Sequence, residues 1–178
     1  MADELIDLVD EKNELTGEQK TWSEVHNKAL LHRSVHIWIY NSKGEVLLQL
    51  RSEEKYTFPN LWDISCAGHV DLNEDPKTSA LRELKEELGL TVDPQNLKFR
   101  NIEREQKSSG KFKENEFCYV YLLKFDGAAS DLVLQKEEVQ QVQFLTPQQI
   151  EKELKINPTN YAPHNYWPEI LEEIQNAS

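Results

Sequence analysis

The stretch GHVDLNEDPKTSALRELKEELGL, Gly68 to Leu90, limits what this chain can fold into more than any other. Its second half predicts a helix. Pro76 suits a first helical turn, Asp75 before it suits an N-cap, and Gly89 suits a C-terminal stop. Leu81, Leu84 and Leu88 recur at three and four residues and share one face. Glu83, Glu86 and Glu87 gather on another face, about 140° round the helix. Like charges at these spacings repel by a few tenths of a kcal/mol per pair. Three glutamates on an arbitrary helix usually form a solvated acidic face. A divalent cation held among hard oxygen ligands is the other way to accommodate them.

The rest of the chain predicts strands mixed with a few helices, an α/β or α+β domain. Residues 1–33 are polar, with LIDLVDEKNELTG reading as a short strand, a turn, and a strand or loop. Val35–Tyr40 and Glu45–Leu50 flank Asn41-Ser42-Lys43-Gly44 and predict a hairpin of two buried strands. A loop carrying Pro59 follows, then a short strand over Trp62–Ala67 leading into the Gly68 stretch. Leu97–Gln106 and Glu116–Phe125 read as a second strand pair joined by KSSGKFKEN, and Gln140–Leu145 as a last strand. Thr146-Pro147 caps a helix through about Leu154, and Trp167–Ile174 reads as a terminal helix. No repeat, low-complexity tract or interdomain linker interrupts the 178 residues, which are expected to form a single domain.

A net charge of −12 with no basic cluster argues against a nucleic-acid partner. An acidic protein can still act on a diphosphate, because cations neutralise both partners locally. Cys66 and Cys118 form no disulfide framework and point to a reducing compartment. The acidic start lacks the regions of a signal peptide, and no apolar run is long enough to span a membrane. A cytoplasmic location with no membrane partner is the expectation.

The Gly68–Leu90 segment matches the Nudix box of the Nudix hydrolase superfamily at every defined position. The resemblance implies the Nudix fold, a mixed β-sheet sandwiched between helices, with residues 1–30 as an N-terminal extension of one domain over 1–178 and the box at 68–90. It also implies Mg²⁺ or Mn²⁺ held by Glu83, Glu86, Glu87 and the Gly68 carbonyl. The region LLHRSVHIWIYNSKGEVLLQLRSEEKYTFPNLWDISCAGH resembles isopentenyl-diphosphate isomerases and the Nudix hydrolases similar to them, as do KENEFC and LQKEEV. Carried over residue by residue, the isomerase-type metal site falls on His32, His69, Glu114 and Glu116, with His26 less securely aligned. Without the family, such histidines read as buried polar groups. Arg51, Lys55 and Arg82 match positions that hold the diphosphate, and their charged donors suit that task. Arg82 has an alternative role, orienting a neighbouring box glutamate.

One departure separates the branches. Isomerases carry a catalytic cysteine directly before the glycine-histidine pair, and here that position is Ala67. Cys66 lies one residue earlier, so in an extended segment it faces the other way. The complete box also favours a hydrolase over an isomerase. Asn60 and Asn73 stand where relatives usually have glycine, and asparagine tolerates the positive φ such turns need.

The expected activity is metal-dependent cleavage of a diphosphate linkage in a nucleoside diphosphate-type or related small molecule. Catalytic roles fall to Glu83, Glu86, Glu87 and Glu116, with Glu137 and Glu138 as further general-base candidates. Phe58, Trp62, Tyr161 and Trp167 could stack a leaving moiety or, more ordinarily, fill the core. The rivals are an isopentenyl-diphosphate isomerase and a catalytically silent nucleotide-binding Nudix domain. A homodimer is expected by analogy alone.

Overall fold

A computed structural model describes residues 4–176. The strands are β1 (Leu5–Val9), β2 (Leu15–Thr21), β3 (His32–Tyr40), β4 (Val46–Arg51), β5 (Trp62–Asp63), β6 (Cys66–His69), β7 (Leu97–Ser109), β8 (Phe112–Lys124) and β9 (Val139–Leu145). The helices are α1 (Trp22–Lys28), α2 (Pro76–Leu88), α3 (Pro147–Ile156) and α4 (Trp167–Asn176). Among the described residues no helix is long and apolar enough to cross a membrane.

β3 is the axis of a seven-stranded mixed sheet ordered β5-β4-β3-β8-β7, with β6 also on β3 and β9 also on β4. β8 runs parallel to β3 along its whole length, from His32↔Glu116 to Tyr40↔Lys124. On the other side β3 pairs with β6 over Ser34–Ile37, and meets β4 only at Tyr40↔Val46. The expected β3–β4 hairpin is therefore closed only at its tip. The Ser65 hydroxyl occupies the divergence: it accepts from the Ile39 amide at 2.7 Å and donates to the Leu47 carbonyl at 2.6 Å. The strand expected over Trp62–Ala67 is broken at the same place. Its first part pairs with β4 and its second with β3.

The pleat sorts the core into two layers. Val35, Ile37, Ile39, Leu47 and Cys66 pack against Ala80, Leu84 and Leu88 of α2. Trp38, Val46, Leu48 and Val120 pack on the other face against Ile150 of α3 and Ile170, Leu171 and Ile174 of α4. Each such side chain, fully buried, contributes roughly 1.5–3 kcal/mol. Tyr161 and Trp167 belong to this second layer, so they are core rather than ligand platforms.

α2 is bounded as its sequence predicts. Asp75 accepts from the Lys77 and Thr78 amides at 3.0 and 3.2 Å, and Gly89 ends the helix at φ 68°. Asn60 and Asn73 adopt the positive φ expected of them, 59° and 61°. α1 lies inside the expected N-terminal extension and has no counterpart in the sequence reading. Thr21 caps it, Ala29 ends it, and Val25 joins Ile6 and Leu8 in a small separate core.

Candidate active site

The functional side chains divide between the two faces of the sheet, and the strand β6 shows why. Its successive residues alternate: Cys66 packs on the α2 side, Ala67 on the α4 side, Gly68 under α2 again, and His69 opposite.

On the α2 face, Glu83 lies directly across Gly68. A Cβ there would sit 2.2 Å from the Glu83 carboxyl carbon and 2.6 Å from its Cγ. Glycine at position 68 is thus a requirement of the helix glutamate, whatever its carbonyl also does. Arg82 organises the group. Its guanidinium donates to Glu83 at 2.8 Å, to Glu86 at 3.2 Å and to Glu74 at 3.3 Å, and reaches Asp71 at 3.2 Å and the His69 carbonyl at 3.2 Å. Those donors point at the box itself.

Glu87 is buried and takes a long contact of 3.5 Å from Gln49, with the Cys66 thiol also hydrogen-bonded to it. Burial pushes Glu87 upward, and burial plus the Glu87 charge push Glu83 up to about 8. Glu86 is half-exposed at the rim. A buried and a partly buried carboxylate, both with raised proton affinity and hard oxygen donors, fit a divalent cation, which would relieve both shifts. Cys66 is a buried thiol pushed well above its usual range by burial and by Glu87 and Glu83. It faces this site and not the one across the sheet.

Lys55 pairs with Glu138 at the same end of the sheet. Arg51 has its donors committed to the Thr57 carbonyl, at 3.1 and 2.9 Å, and to Asp63, at 2.9 Å. It braces the turn after Lys55, where Phe58 stands at φ 48°. Glu137 is exposed, whereas Glu138 is half-buried.

The α4 face collects all five histidines of the chain. Nitrogens of His26, His32 and His69 lie within 4.8 Å of one another. The Nδ1 atoms of His26 and His32 meet the Trp22 and Leu30 carbonyls at 2.8 and 3.0 Å, which puts the proton on Nδ1 and leaves the Nε2 lone pairs facing inward. His26 and His69 Nε2 are 3.3 Å apart. Two ligands at about 2.0–2.1 Å from a tetrahedral ion stand at about that separation. His32 Nε2 is buried with no hydrogen-bond partner and lies 3.5 Å from Glu116. Burial lowers His26 and His32 to about 4, keeping both imidazoles neutral. Neutral convergent imidazoles, an orphaned nitrogen and a carboxylate fit a divalent metal ion. His26, the least secure alignment in the sequence, is a full member of the cluster.

Behind this cluster runs a buried polar chain that sequence reasoning missed. Arg51 pairs with Asp63; His164 bonds Asp63 at 2.7 Å and Glu105 at 3.1 Å; Lys107 pairs with Glu105 and lies 3.7 Å from Glu114. His36 bonds the Tyr166 hydroxyl at 2.5 Å and lies 4.0 Å from Glu116. Burial opposes every charge here, but alternation wins. His164 and Arg51 hold Asp63 well below the carboxylate range, His164 holds Glu105 down at about 2, and Asp63 raises His164. The one sequence signal was alternation along β7, where Glu105 and Lys107 fall opposite Glu116 and Glu114.

A model of the NUDIX domain matches residues 30–165. The chain belongs to the Nudix hydrolase family. It is 36% identical over 170 residues to Nudix hydrolase 3 of Arabidopsis thaliana, covering 93% of this chain but only 22% of that protein. An uncharacterized Nudix hydrolase of Listeria innocua is 39% identical over 145 residues, 82% of this chain and 81% of its own. An isopentenyl-diphosphate Delta-isomerase of Serratia proteamaculans is 33% identical over 159 residues, 89% of this chain and 86% of its own. The Nudix fold is shared with a crystal structure from Deinococcus radiodurans at TM-score 0.70 and 23% identity, over 97% of this chain and 98% of that one. This Nudix chain therefore resembles both hydrolases and isomerases.

Proposed function

We propose that this chain is a divalent-metal-dependent Nudix hydrolase that cleaves a diphosphate linkage in a nucleoside diphosphate or a related small molecule. One observation carries the proposal: Glu83 lies against Gly68 on the α2 face with the charge of the buried Glu87 acting on it, while the position of an isomerase thiol is Ala67 on the other face. Glu83, Glu86, Glu87 and the Gly68 carbonyl would hold Mg²⁺ or Mn²⁺. Such an ion stabilises charge that develops on diphosphate oxygens.

The residues of the chain supply the remainder. Arg82 fixes Glu83 and Glu86 in their facing rotamers. Lys55, partly exposed and ion-paired with Glu138, is a cation that can exchange that partner for a substrate phosphate. Arg51 acts on substrate through the turn it braces. Proton acceptance from the attacking water is assigned to Glu83 within the box or to Glu138 beside Lys55. Glu116 lies on the other face with the histidines and is assigned to their metal site.

An isomerase is the second possibility, favoured by the intact His26, His32, His69 and Glu116 cluster. It lacks a thiol facing that cluster from β6. Phosphorus NMR with Mg²⁺ or Mn²⁺ and a panel of nucleoside diphosphates, sugar nucleotides and isopentenyl diphosphate separates the two. Loss of a diphosphate resonance is expected, and Glu86→Gln and Glu87→Gln should each abolish most of it. Retained turnover in both variants refutes the assignment. Migration of the isopentenyl double bond in the proton spectrum, with every diphosphate intact, decides for the isomerase.

A further inference from the structure

Glu114 and Glu116 face a conflict that the strand register imposes. β7 and β8 set Glu105 directly opposite Glu116 and Lys107 directly opposite Glu114. Like charges opposed across two strands repel, and here both carboxylates are buried. A single ammonium answers them. Lys107, with a side chain only 8% exposed, pairs with Glu105 and lies 3.7 Å from Glu114. It also meets His164 Nδ1 at 2.8 Å, and the Glu116 charge acts on it too. Glu114 Oε2, in contrast, has no hydrogen-bond partner.

Of these carboxylates, Glu116 borders the histidine cluster, lying 3.5 Å from His32. A divalent ion there would draw on the negative charge that Lys107 already neutralises, and would be repelled by the ammonium. We propose that Lys107 is an internal counter-ion that competes with a divalent ion at the histidine site and keeps its affinity low. This rests on the histidine cluster being a metal site. The ions that fill it are then those whose bonds to imidazole are strong enough to overcome the ammonium, such as Co²⁺ or Zn²⁺, whereas Mg²⁺ stays with the box carboxylates. Lys107 would sort the two kinds of ion between the two faces of the sheet.

The test is titration of the purified full chain with Co²⁺, read by its visible absorption, with His32→Gln as the baseline that assigns the signal to the histidines. Lys107→Met removes the charge and Lys107→Arg retains it. Co²⁺ should bind Lys107→Met at least tenfold more tightly than the parent, and Lys107→Arg within threefold of it. Unchanged or weaker binding in Lys107→Met overturns the role of Lys107 while leaving the metal site standing. Absence of a His32-dependent signal in every protein overturns the metal site as well. Lys107→Gln, which can still hydrogen-bond Glu105, replaces Lys107→Met if that variant fails to fold. In the parent protein, Zn²⁺ should also shift the Lys107 side-chain resonances in an NMR spectrum, and their indifference to Zn²⁺ would count against the proposal independently.

Discussion

Gly68→Ala tests the box geometry with one methyl group. The added Cβ would fall 2.2 Å from the Glu83 carboxyl carbon and its Oε1. Carbon atoms rest at about 3.5–4.0 Å, so one partner must yield by roughly 1.3 Å or more. β6 is held to β3 by pairing from Ser34↔His69 to Ile37↔Cys66, whereas Glu83 is the far end of a side chain. The carboxylate will move. Gly68 is not among the residues with positive φ, so alanine suits its backbone, and the loss of glycine should stabilise by about 0.4–1 kcal/mol. The melting temperature should therefore change little, while the glutamate leaves its place beside Glu87 and Arg82. A misplacement of about 1 Å costs on the order of 10²-fold in rate. The assay is Mg²⁺-dependent diphosphate turnover beside thermal unfolding of the same preparation. A variant that melts like the parent and retains turnover within threefold refutes the claim that Glu83 works from across Gly68.

Three further outcomes follow from the charges and hydrogen bonds described. Ser65→Ala strips partners from the buried Ile39 amide and Leu47 carbonyl, and denaturant unfolding should show a loss of roughly 2–4 kcal/mol. Glu105 is held down at about 2, against about 4.5 when unfolded, so its stabilisation is complete above pH 4.5 and lost as pH falls toward 2. That window is worth about 3 kcal/mol, and Glu105→Gln should flatten the acid limb of the stability profile measured by urea titration. Glu83 has the opposite sign: raised to about 8, it costs stability as pH climbs from about 4.5 to 8. In chelator at pH 8, Glu83→Gln should unfold at higher denaturant than the parent although it has lost turnover, and an unchanged midpoint would show that the carboxylate carries no such penalty.

The parts legible in the sequence were those specified locally. α2 could be bounded because Asp75, Pro76 and Gly89 act within a turn of themselves, and the box glutamates needed only helical spacing. α1 was missed: its seven residues, Trp22–Lys28, bury only Val25 and His26, too few for a period to be visible. The hairpin of β3 and β4 was overextended, because two buried apolar runs do not reveal that Ser65 parts them. The chain of Arg51, Asp63, His164, Glu105 and Lys107 draws on β4, β5, β7 and the segment before α4, and no spacing in the sequence joins them. Family resemblance supplied His32, His69, Glu114 and Glu116, but not the ammonium between the carboxylates and the chain behind them.

The parallel pairing of β3 with β8 also has a consequence in time. His32 reaches Glu116 only through this pairing, and parallel strands require a long crossover between them. Such non-local contacts are slow to form, since the loop must close before any contact rewards it. His26 and His32, near in the chain, can be neighbours early, whereas the carboxylate side of their site cannot exist until the centre of the sheet does. An ion that needs both halves can bind only a chain whose central strands have already docked. It would act as a latch on the last large step of folding and slow the return journey, leaving the helix at the box free to form on its own schedule.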